Sequence, residues 1–548
     1  MKNHKEHTYV PKLKEQLSER IIDRREFLRT ATLLGVSAAA AYEFAGHIEG
    51  RSLLPQASAQ SLPKGGTLRM AFRIPEFEKP HTFSWGGSEI ARGIIEYLTR
   101  TGTDNITRPS LCESWSTSAD LKTWDLHLRK DVTWNKGQKF VADDVVWNLQ
   151  HVLDPATGSS VLGLMKGYMM NDDGTALWDA NAIEKVDDHT VRLNCRNPQL
   201  AVPEHLFHYP LHIMHPESDG NFGPGANGTG PFELLEVGIG TKAVIKARTS
   251  GTWGPPVHLD MMEYLDLGDD PSAPVNALIS KQVHGIQDLA VEQLEIIKQV
   301  PHINIYNATT ARTGVVRMRV TEAPFDDPRV RKAVRMATDS GRILELALRN
   351  QGTAAEHHHV CPIHPEYAEL PEMTRDVAAA KKLLAEAGHP NGVEVTIDCK
   401  KDPAWEFNAV QAMVEQWKEA GINTKINLMP SSSYWDIWDK TAFGFTSWTH
   451  RPLGVMVLGL AYRSGVPWNE TAYSNAEFDS LLTKAEGLLD VNERREVVKQ
   501  IETLMQEDGP IAQPLWRKTF TAFDKRVKNV EMHPTGYYFP DLMAIEPA

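Results

Sequence analysis

Residues 394–428, EVTIDCKKDPAWEFNAVQAMVEQWKEAGINTKINL, decide the fold class. Apolar and polar residues alternate over 394–398, which predicts a strand, and the spacing becomes that of a helix over 408–420. Gly421 ends this helix, and a second alternating stretch at 424–428 predicts another strand. Because helices and strands also interleave in this way elsewhere in the chain, we expect an α/β protein with mixed sheets rather than a uniform parallel barrel.

The composition is that of an ordinary globular protein. The chain has 548 residues, of which 41% are hydrophobic and 24% are charged, and this excludes disordered, collagen-like and coiled-coil proteins. A single core stops growing near about 250–300 residues, so we expect two or more lobes. The net charge of −13 argues against a general nucleic-acid binder. No stretch reaches the roughly 18 apolar residues that a membrane-spanning helix requires.

The N-terminus has the three zones of an export leader. Arg24 and Arg25 are followed closely by Phe27 and Leu28, and a weakly apolar, alanine-rich run comes next. Residues 57–59, Ala-Ser-Ala, are a small-x-small sequence that a signal peptidase can cut before residue 60. This order resembles a bacterial twin-arginine signal, although an aspartate precedes the arginine pair where Ser or Thr is usual. We therefore expect residues 1–59 to lie outside the fold; the alternative is a surface helix with two arginines.

Signatures of several enzyme classes are missing from the sequence. It contains no phosphate-binding loop, no Gly-x-Ser-x-Gly and no His-Glu-x-x-His. The densest group of catalytic or metal-binding residue types is His357, His358 and His359 with Cys361 and His364. Adjacent histidines cannot all face one ion, but His358, Cys361 and His364 make a candidate metal set. The alternative is a polar segment whose histidines bond to the backbone or to water, and we expect neither a metal nor a cofactor.

The four cysteines are too few for a disulfide scaffold in a chain of this length. Cys112, Cys195 and Cys399 lie in or beside apolar strands, where a small buried residue fits. The sequence does not choose a disulfide pairing among these three residues and Cys361.

Several motifs, taken together and in order, resemble the family 5 extracellular solute-binding proteins of ABC importers, the peptide, nickel and opine class. The motifs run through most of the chain after residue 62: residues 111–115 (LCESW), 126–129 (LHLR), 142–146 (ADDVV), 153–155 (LDP), 228–232 (GTGPF), 323–333 (APFDDPRVRKA), 379–388 (AAKKLLAEAG) and 473–479 (YSNAEFD). Their residue types favour structural roles, since Trp115, Trp124 and Trp134 lie in or beside alternating strands and are expected in the core. The motifs therefore indicate a scaffold more than a site.

The resemblance implies a two-lobed periplasmic-binding-protein fold of type II character. Lobe I would comprise residues 60–312 and 510–548, with an extra subdomain at about 100–228, and lobe II would comprise residues 313–509. A ligand would be held between the lobes on closure, and the protein, a monomer in the periplasm, would deliver it to a membrane permease and ATPase complex without performing chemistry.

The ligand-binding candidates lie in two aromatic segments, at residues 434–438 and 445–452. In peptide-binding relatives a similar Trp-Thr segment is followed by an acidic turn that holds the α-ammonium of the peptide. Here the corresponding positions after Trp448 are His450 and Arg451, and no carboxylate occurs between Asp439 and Glu470. Arg451 offers a planar fork for a carboxylate or phosphate, which predicts an anionic, opine-like ligand group.

The alternatives for these candidates stay open. Arg451 pairs instead with a surface acid if it faces away from the ligand, and Tyr434, Trp435 and Trp448 form either an apolar wall or part of the core. Three functions follow: a receptor for a peptide or peptide-like solute, a receptor for a metal chelate or haem-type ligand in the same fold, and an exported hydrolase that uses the cluster at 357–364. The first is the main prediction.

Overall fold

A computed structural model of the chain describes residues 6–50, 62–76, 78–82 and 85–547. Its contacts divide the chain into two units. Unit 1 contains Met1–Asn307 and Phe520–Ala548, and unit 2 contains Ala308–Thr519. The chain therefore passes from one unit to the other twice, each time within a long strand, Ile303–Met318 or Ile511–Asp524. The lobe boundaries expected from the sequence, 312/313 and 509/510, lie near these two breaks.

The strand–helix–strand predicted from residues 394–428 is present in unit 2. Strands Val393–Lys400 and Ile422–Met429 are parallel and in continuous register, and helix Ala404–Glu419 packs against both. The helix buries Val410, Met413 and Trp417 completely, which is the spacing of one helical face. The α/β class predicted from the sequence is confirmed here.

The sheet of unit 2 is mixed. Its strands follow the order Ile422–Met429, Val393–Lys400, Phe443–Trp448, Ile303–Met318 and Ile511–Asp524, and Gly352–Ala354 also pairs with the last of these. The first three strands are parallel, whereas Phe443–Trp448 and Ile303–Met318 are antiparallel. The helices of this unit are Pro328–Met336, Ser340–Leu348, Val377–Glu386, Ala404–Glu419, Ser431–Trp435, Gly454–Ala461, Ala476–Glu486 and Val491–Glu507.

The strands of unit 1 continue the same strand order beyond Ile511–Asp524. From the end of Ile511–Asp524 the order continues through Gly285–Ile286, Thr67–Ala71, Met261–Leu265, Lys242–Ala247 and Phe232–Gly238. Thr67–Ala71 is parallel to both of its neighbours, and its Leu68 and Met70 are fully buried in the main core of this unit. The remaining pairs of strands are antiparallel.

A separate antiparallel sheet lies in the segment where an extra subdomain was expected. Its order is Cys112–Thr117, Thr123–Leu128, Thr190–Asn194 and Ile183–Asp187. Small pairs join Thr99–Thr101 to Thr107–Pro109 and Val527–Lys528 to Ala544–Ile545. The unit's helices after residue 62 are Trp85–Ala91, Ala142–Leu153, Ser160–Met169, Val202–His205, Ser272–Ile279 and Leu294–Ile297, and short 3-10 turns cover Pro80–Thr82, Pro155–Thr157, Pro216–Ser218 and Val291–Gln293.

The tryptophans of this region behave as the sequence predicted. Trp115, Trp124 and Trp134 are at most 5% exposed, so their core assignment is confirmed. Within residues 132–140 the structure has one isolated bridge, between Thr133 and Lys139. The residues between these two form a tight turn.

The N-terminal segment differs most from expectation. Residues 1–59 were expected to lie outside the fold, but residues 6–50 form three helices that belong to unit 1: Val10–Ser18, Arg24–Leu33 and Ala38–Glu49. The proposed cleavage sequence at 57–59 lies outside the described residues. None of the helices that the structure describes is both long enough and apolar enough to cross a membrane.

Candidate functional site

Four tryptophans of unit 2 form a continuous row. Trp448, at the end of strand Phe443–Trp448, is 5% exposed and contacts Trp468 with ring centroids 5.9 Å apart. Trp468 contacts Trp438 at 6.2 Å, and Trp438 contacts Trp435 at 5.8 Å, all edge to face. Trp435 is 44% exposed. This tryptophan row therefore leads from the core to the surface, and edge-to-face contacts of this kind hold each ring in a defined orientation.

A buried ion pair lies at the surface end of the row. The Lys400 ammonium is 4.2 Å from the centroid of the Trp435 ring, and it donates to Ser447 Oγ at 3.2 Å. Its carboxylate partner is Glu406, with Nζ and Oε2 3.0 Å apart. Glu406 lies in the first turn of helix Ala404–Glu419, where the helix dipole favours a negative charge. Burial raises the pKa of Glu406, and the neighbouring ammonium opposes this rise.

A second buried carboxylate, Glu470, fixes the inner end of the row. It accepts hydrogen bonds from Thr446 Oγ1 at 2.6 Å and from the indole of Trp448 at 2.8 Å. It also forms an ion pair with Arg317, whose Nε is 3.2 Å away. Burial raises the pKa of Glu470 and the Arg317 guanidinium opposes this shift. The stretch without carboxylates after Asp439 thus ends at Glu470, whose carboxylate contacts Trp448.

The other predicted ligand-binding residues are buried. Arg451 is 4% exposed, and its guanidinium donates to Thr449 Oγ1 and, at 3.0 Å, to the carbonyl of His450. The ring of His450 accepts from a backbone amide of strand Ile303–Met318. The hydroxyl of Tyr434, which is fully buried, bonds to Thr446 Oγ1 at 2.8 Å. Of the five candidates, only Trp435 is exposed. The ligand-binding role of Arg451 stays a prediction.

The histidine cluster packs beside this segment. His359 contacts the Trp448 ring at 5.6 Å, and His364 Nε2 lies 3.1 Å from the carbonyl of Arg451. Each ring of the cluster has a partner within unit 2: His357 accepts from Gln513 N, His358 bonds Glu356, His359 bonds the Tyr462 hydroxyl and His364 accepts from Cys361 N.

The electrostatics of this cluster are those of a buried structural element. Burial lowers the pKa of His357 to about 3 and that of His364 to about 4. Within the part of the chain that the structure describes, no three His, Cys, Asp or Glu side chains converge as a metal site would require. The four cysteines are buried free thiols, and burial raises the pKa of Cys361 to about 12.

Helix Arg24–Leu33 contains the four residues that the sequence suggested as an export signal. Arg24 and Arg25 are exposed, whereas Phe27 and Leu28 are 1% and 3% exposed. The motif is therefore divided between solvent and core.

Comparison with known proteins identifies the scaffold. The model of the bacterial extracellular solute-binding proteins, family 5 middle region, matches residues 107–457, which is more than half of the chain. The chain belongs to this family. Its members are binding receptors, and the family resemblance of the sequence motifs is confirmed.

Individual relatives are distant in sequence but cover most of the chain. Heme-binding protein A of Haemophilus influenzae is 25% identical over 491 residues, which are 83% of this chain and 87% of that protein. Dipeptide-binding protein DppE of Bacillus subtilis is 24% identical over 484 residues, covering 84% and 88%. The two relatives are named for different ligands, so sequence similarity alone does not identify the ligand of this chain.

Solved structures confirm the fold. The chain resembles the binding protein AgaA of A. tumefaciens R10 in complex with agropinic acid, with a TM-score of 0.79, 22% identity and coverage of 88% and 99%. It also resembles the binding protein DppA of Helicobacter pylori in complex with the peptide STSA, with a TM-score of 0.76, 20% identity and the same coverage. The two-lobed binding-protein fold implied by the sequence is thereby confirmed.

Three residues of the site, Lys400, Glu406 and Glu470, were not predicted from the sequence. Lys400 and Glu406 lie on either side of a turn within residues 394–428. In the sequence alone, an acid at the start of a helix is explained by its favourable interaction with the helix dipole. Glu470 had one signal, since it ends the acid-free stretch. Its partners Thr446 and Trp448 are more than twenty residues away in sequence, and only the folded chain brings them together.

Proposed function

We propose that this protein is the periplasmic receptor of an ABC importer and that it captures a peptide-like or opine-like solute carrying a carboxylate. The tryptophan row carries this proposal, because it ends at the surface in Trp435 beside a cation. Family membership supports the receptor role. The neighbouring structures named for a peptide and for agropinic acid support a ligand that combines apolar and carboxylate groups.

The charges around the surface end of the row favour an anionic ligand group. The Lys400 ammonium lies near the Trp435 ring, and the Arg517 guanidinium lies 5.2 Å from the ring of Trp405. Both cations act on the pKa of Glu406 in the same direction, downwards. These three groups therefore comprise two cations and one carboxylate, which pairs with Lys400, and aromatic faces supply apolar contact beside them. A ligand with an apolar part and a carboxylate matches both features.

The remaining parts of the proposal concern location and partners. Residues 24–28 act as a twin-arginine export signal, the protein works in the periplasm as a monomer, and it delivers its ligand to a permease and ATPase complex. It performs no catalysis. The histidines of the cluster at 357–364 are engaged within the core of unit 2, which does not favour the hydrolase alternative.

Mass spectrometry of small molecules released from protein extracted from the periplasm identifies the ligand. We expect a compound with a free carboxylate. A haem or a nickel chelate in its place supports the alternative receptor function, for which the relative named heme-binding protein A is the precedent. Recovery of the protein only from the cytoplasm contradicts the proposed location.

Calorimetry with the identified ligand tests the site. Trp435→Ala should weaken binding about tenfold or more, since an aromatic anchor typically contributes this much. Trp178→Ala is a matched control, because Trp178 is 38% exposed and lies in unit 1, before strand Ile183–Asp187. Unchanged affinity in Trp435→Ala, or an equal loss in both variants, contradicts a ligand site at the tryptophan row.

A further inference from the structure

The three N-terminal helices have a core of their own. Val10, Leu13, Phe27, Ala31 and Ala45 are at most 2% exposed. They come from all three helices, and the second helix is buried on every side over residues 26–33. A leader that serves only as an unfolded tag has no need of such a core.

This segment also buries charged groups, and these form an ion pair with each other. Arg29 and Glu26 form an ion pair of 2.7 Å with exposures of 4% and 6%. Thr30 donates to the same carboxylate at 2.9 Å, and the backbone amide of Glu26 is capped by Asp23 at 2.8 Å. A buried ion pair is tolerated only where its geometry is well defined, so the start of helix Arg24–Leu33 has a fixed structure.

The end of the same helix is attached to the rest of unit 1. The indole of Trp115, which is 5% exposed, donates to the carbonyl of Leu33 at 2.9 Å. The last carbonyls of a helix have no partner within the helix, and Trp115 supplies one of them. Gly35 then passes so close to Trp115 that a Cβ added to it would lie 2.5 Å from the carbonyl oxygen of Trp115.

Two further contacts join other parts of the segment to the same region. The hydroxyl of Tyr42 donates to Asp104 Oδ2 at 3.0 Å and accepts from Arg108 at 3.2 Å. His7 Nε2 lies 3.3 Å from the carbonyl of Ser118. Residues 104–118 thus receive contacts from the chain before the first helix, from the end of the second and from the third.

We propose that residues 6–50 are a docked regulatory segment, held on residues 104–118, that withholds Phe27 and Leu28 from an export receptor until the segment is released. This inference rests on the proposed export role of the leader. While the segment is docked, Arg24 and Arg25 are accessible but the two apolar residues of the motif are not. An export receptor that must contact both the arginine pair and the apolar pair binds only the released state. Its apparent affinity for the protein therefore decreases as the population of the released state decreases.

Two glycines provide a matched pair of variants in the full-length chain. Gly35 and Gly50 each follow a helix and have positive φ, +84° and +68°. Gly35→Ala adds a Cβ against the Trp115 carbonyl, whereas a Cβ at Gly50 meets nothing within 4 Å. Both substitutions place an alanine at a positive φ, and only Gly35→Ala also adds the contact with Trp115, so a large difference between them reports docking. Trp115→Phe, which removes the donor to Leu33 but keeps an aromatic ring, is the second docking variant.

Hydrogen exchange of the purified chains measures the docked state. In the wild type we expect protected amides over residues 27–34. Gly35→Ala should speed their exchange by about tenfold or more, Trp115→Phe should do so to a smaller extent, and Gly50→Ala should leave it unchanged. Unprotected amides in the wild type, or equal effects of the two glycine variants, would overturn docking. Protection over 123–128 in every variant shows that the body is folded.

Pulse-chase of the precursor in cells measures the consequence. If docking limits export, the leader is removed faster in Gly35→Ala and Trp115→Phe than in the wild type and Gly50→Ala. Equal rates in all four chains, with docking lost in Gly35→Ala, would overturn the regulatory role. Retention of every precursor in the cytoplasm, including the undocked variants, contradicts the export signal itself and the regulation with it, while the exchange data still report docking.

Discussion

Removing the Glu470 carboxylate should strongly destabilise unit 2. In Glu470→Ala the guanidinium of Arg317, which is 0% exposed, loses its only carboxylate within hydrogen-bond distance among the described residues. Thr446 and Trp448 lose an acceptor at the same time. Breaking a buried pair from one side costs about 3–5 kcal/mol, because the remaining charge stays buried without compensation.

This magnitude corresponds to a large change in thermal stability. For a unit of roughly 200 residues, each kcal/mol lowers Tm by about 2–4 °C, so we expect a decrease of about 6–20 °C in the transition of unit 2. Calorimetry gives the transition, and urea denaturation followed by tryptophan fluorescence gives the free energy of unfolding.

Two controls separate the buried pair from a general effect of losing a carboxylate. Glu345→Ala removes an acid whose pair with Arg342 is about half exposed, and it should change stability by no more than about 0.5 kcal/mol. Arg317→Met combined with Glu470→Leu removes both charges and should recover much of the loss. A Glu470→Ala protein as stable as Glu345→Ala refutes the reasoning.

Three further predictions concern charge and thiol chemistry in the same chain. Burial, with Glu356 and Glu366 nearby, raises the pKa of Glu502 to about 9, so its stabilising contribution is complete below about pH 4.5 and is lost as the pH rises towards 9. The urea midpoint, measured at pH 5, 7 and 9, should therefore fall more steeply in the wild type than in Glu502→Gln. Parallel curves for the two proteins would show that Glu502 titrates normally. Arg451→Ala should weaken binding of a carboxylate ligand by about 30-fold and Arg451→Lys should recover only part, as measured by calorimetry, and unchanged affinity would exclude Arg451 from the site. The four cysteines should not react with a thiol reagent at pH 8 until the protein is denatured, because all are buried with raised pKa values; rapid labelling of the native protein would contradict their burial.

The secondary structure was predictable where one local pattern determines it. Strand Val393–Lys400 and helix Ala404–Glu419 have clear periodicity, and both extend the predicted elements by a few residues. A close approach also marks their junctions: a Cβ on Gly392 would lie 2.2 Å from the carbonyl oxygen of Gly421. Such glycines end elements in the sequence and in the structure for the same steric reason.

The candidate site was less predictable because its contacts are distant in sequence. Trp435 and Trp448 were identified from the sequence, but the row that connects them needs Trp468, from another loop. The direction of the Arg451 side chain depends on its own loop, and no periodic pattern encodes it. The N-terminal helices were missed for a related reason, since the residue that holds them, Trp115, is more than eighty positions away.

The path of the chain through the two units sets the order in which they can be completed during synthesis. Unit 2 is one uninterrupted segment, whereas unit 1 needs residues 520–548, which are synthesised after all of unit 2. Strand Gly285–Ile286 pairs with Ala522 and Phe523, so this strand pair can form only after residue 523 has been synthesised. Unit 2 can therefore fold during synthesis before unit 1 is complete. Truncation before residue 520 should leave unit 2 folded and unit 1 incomplete.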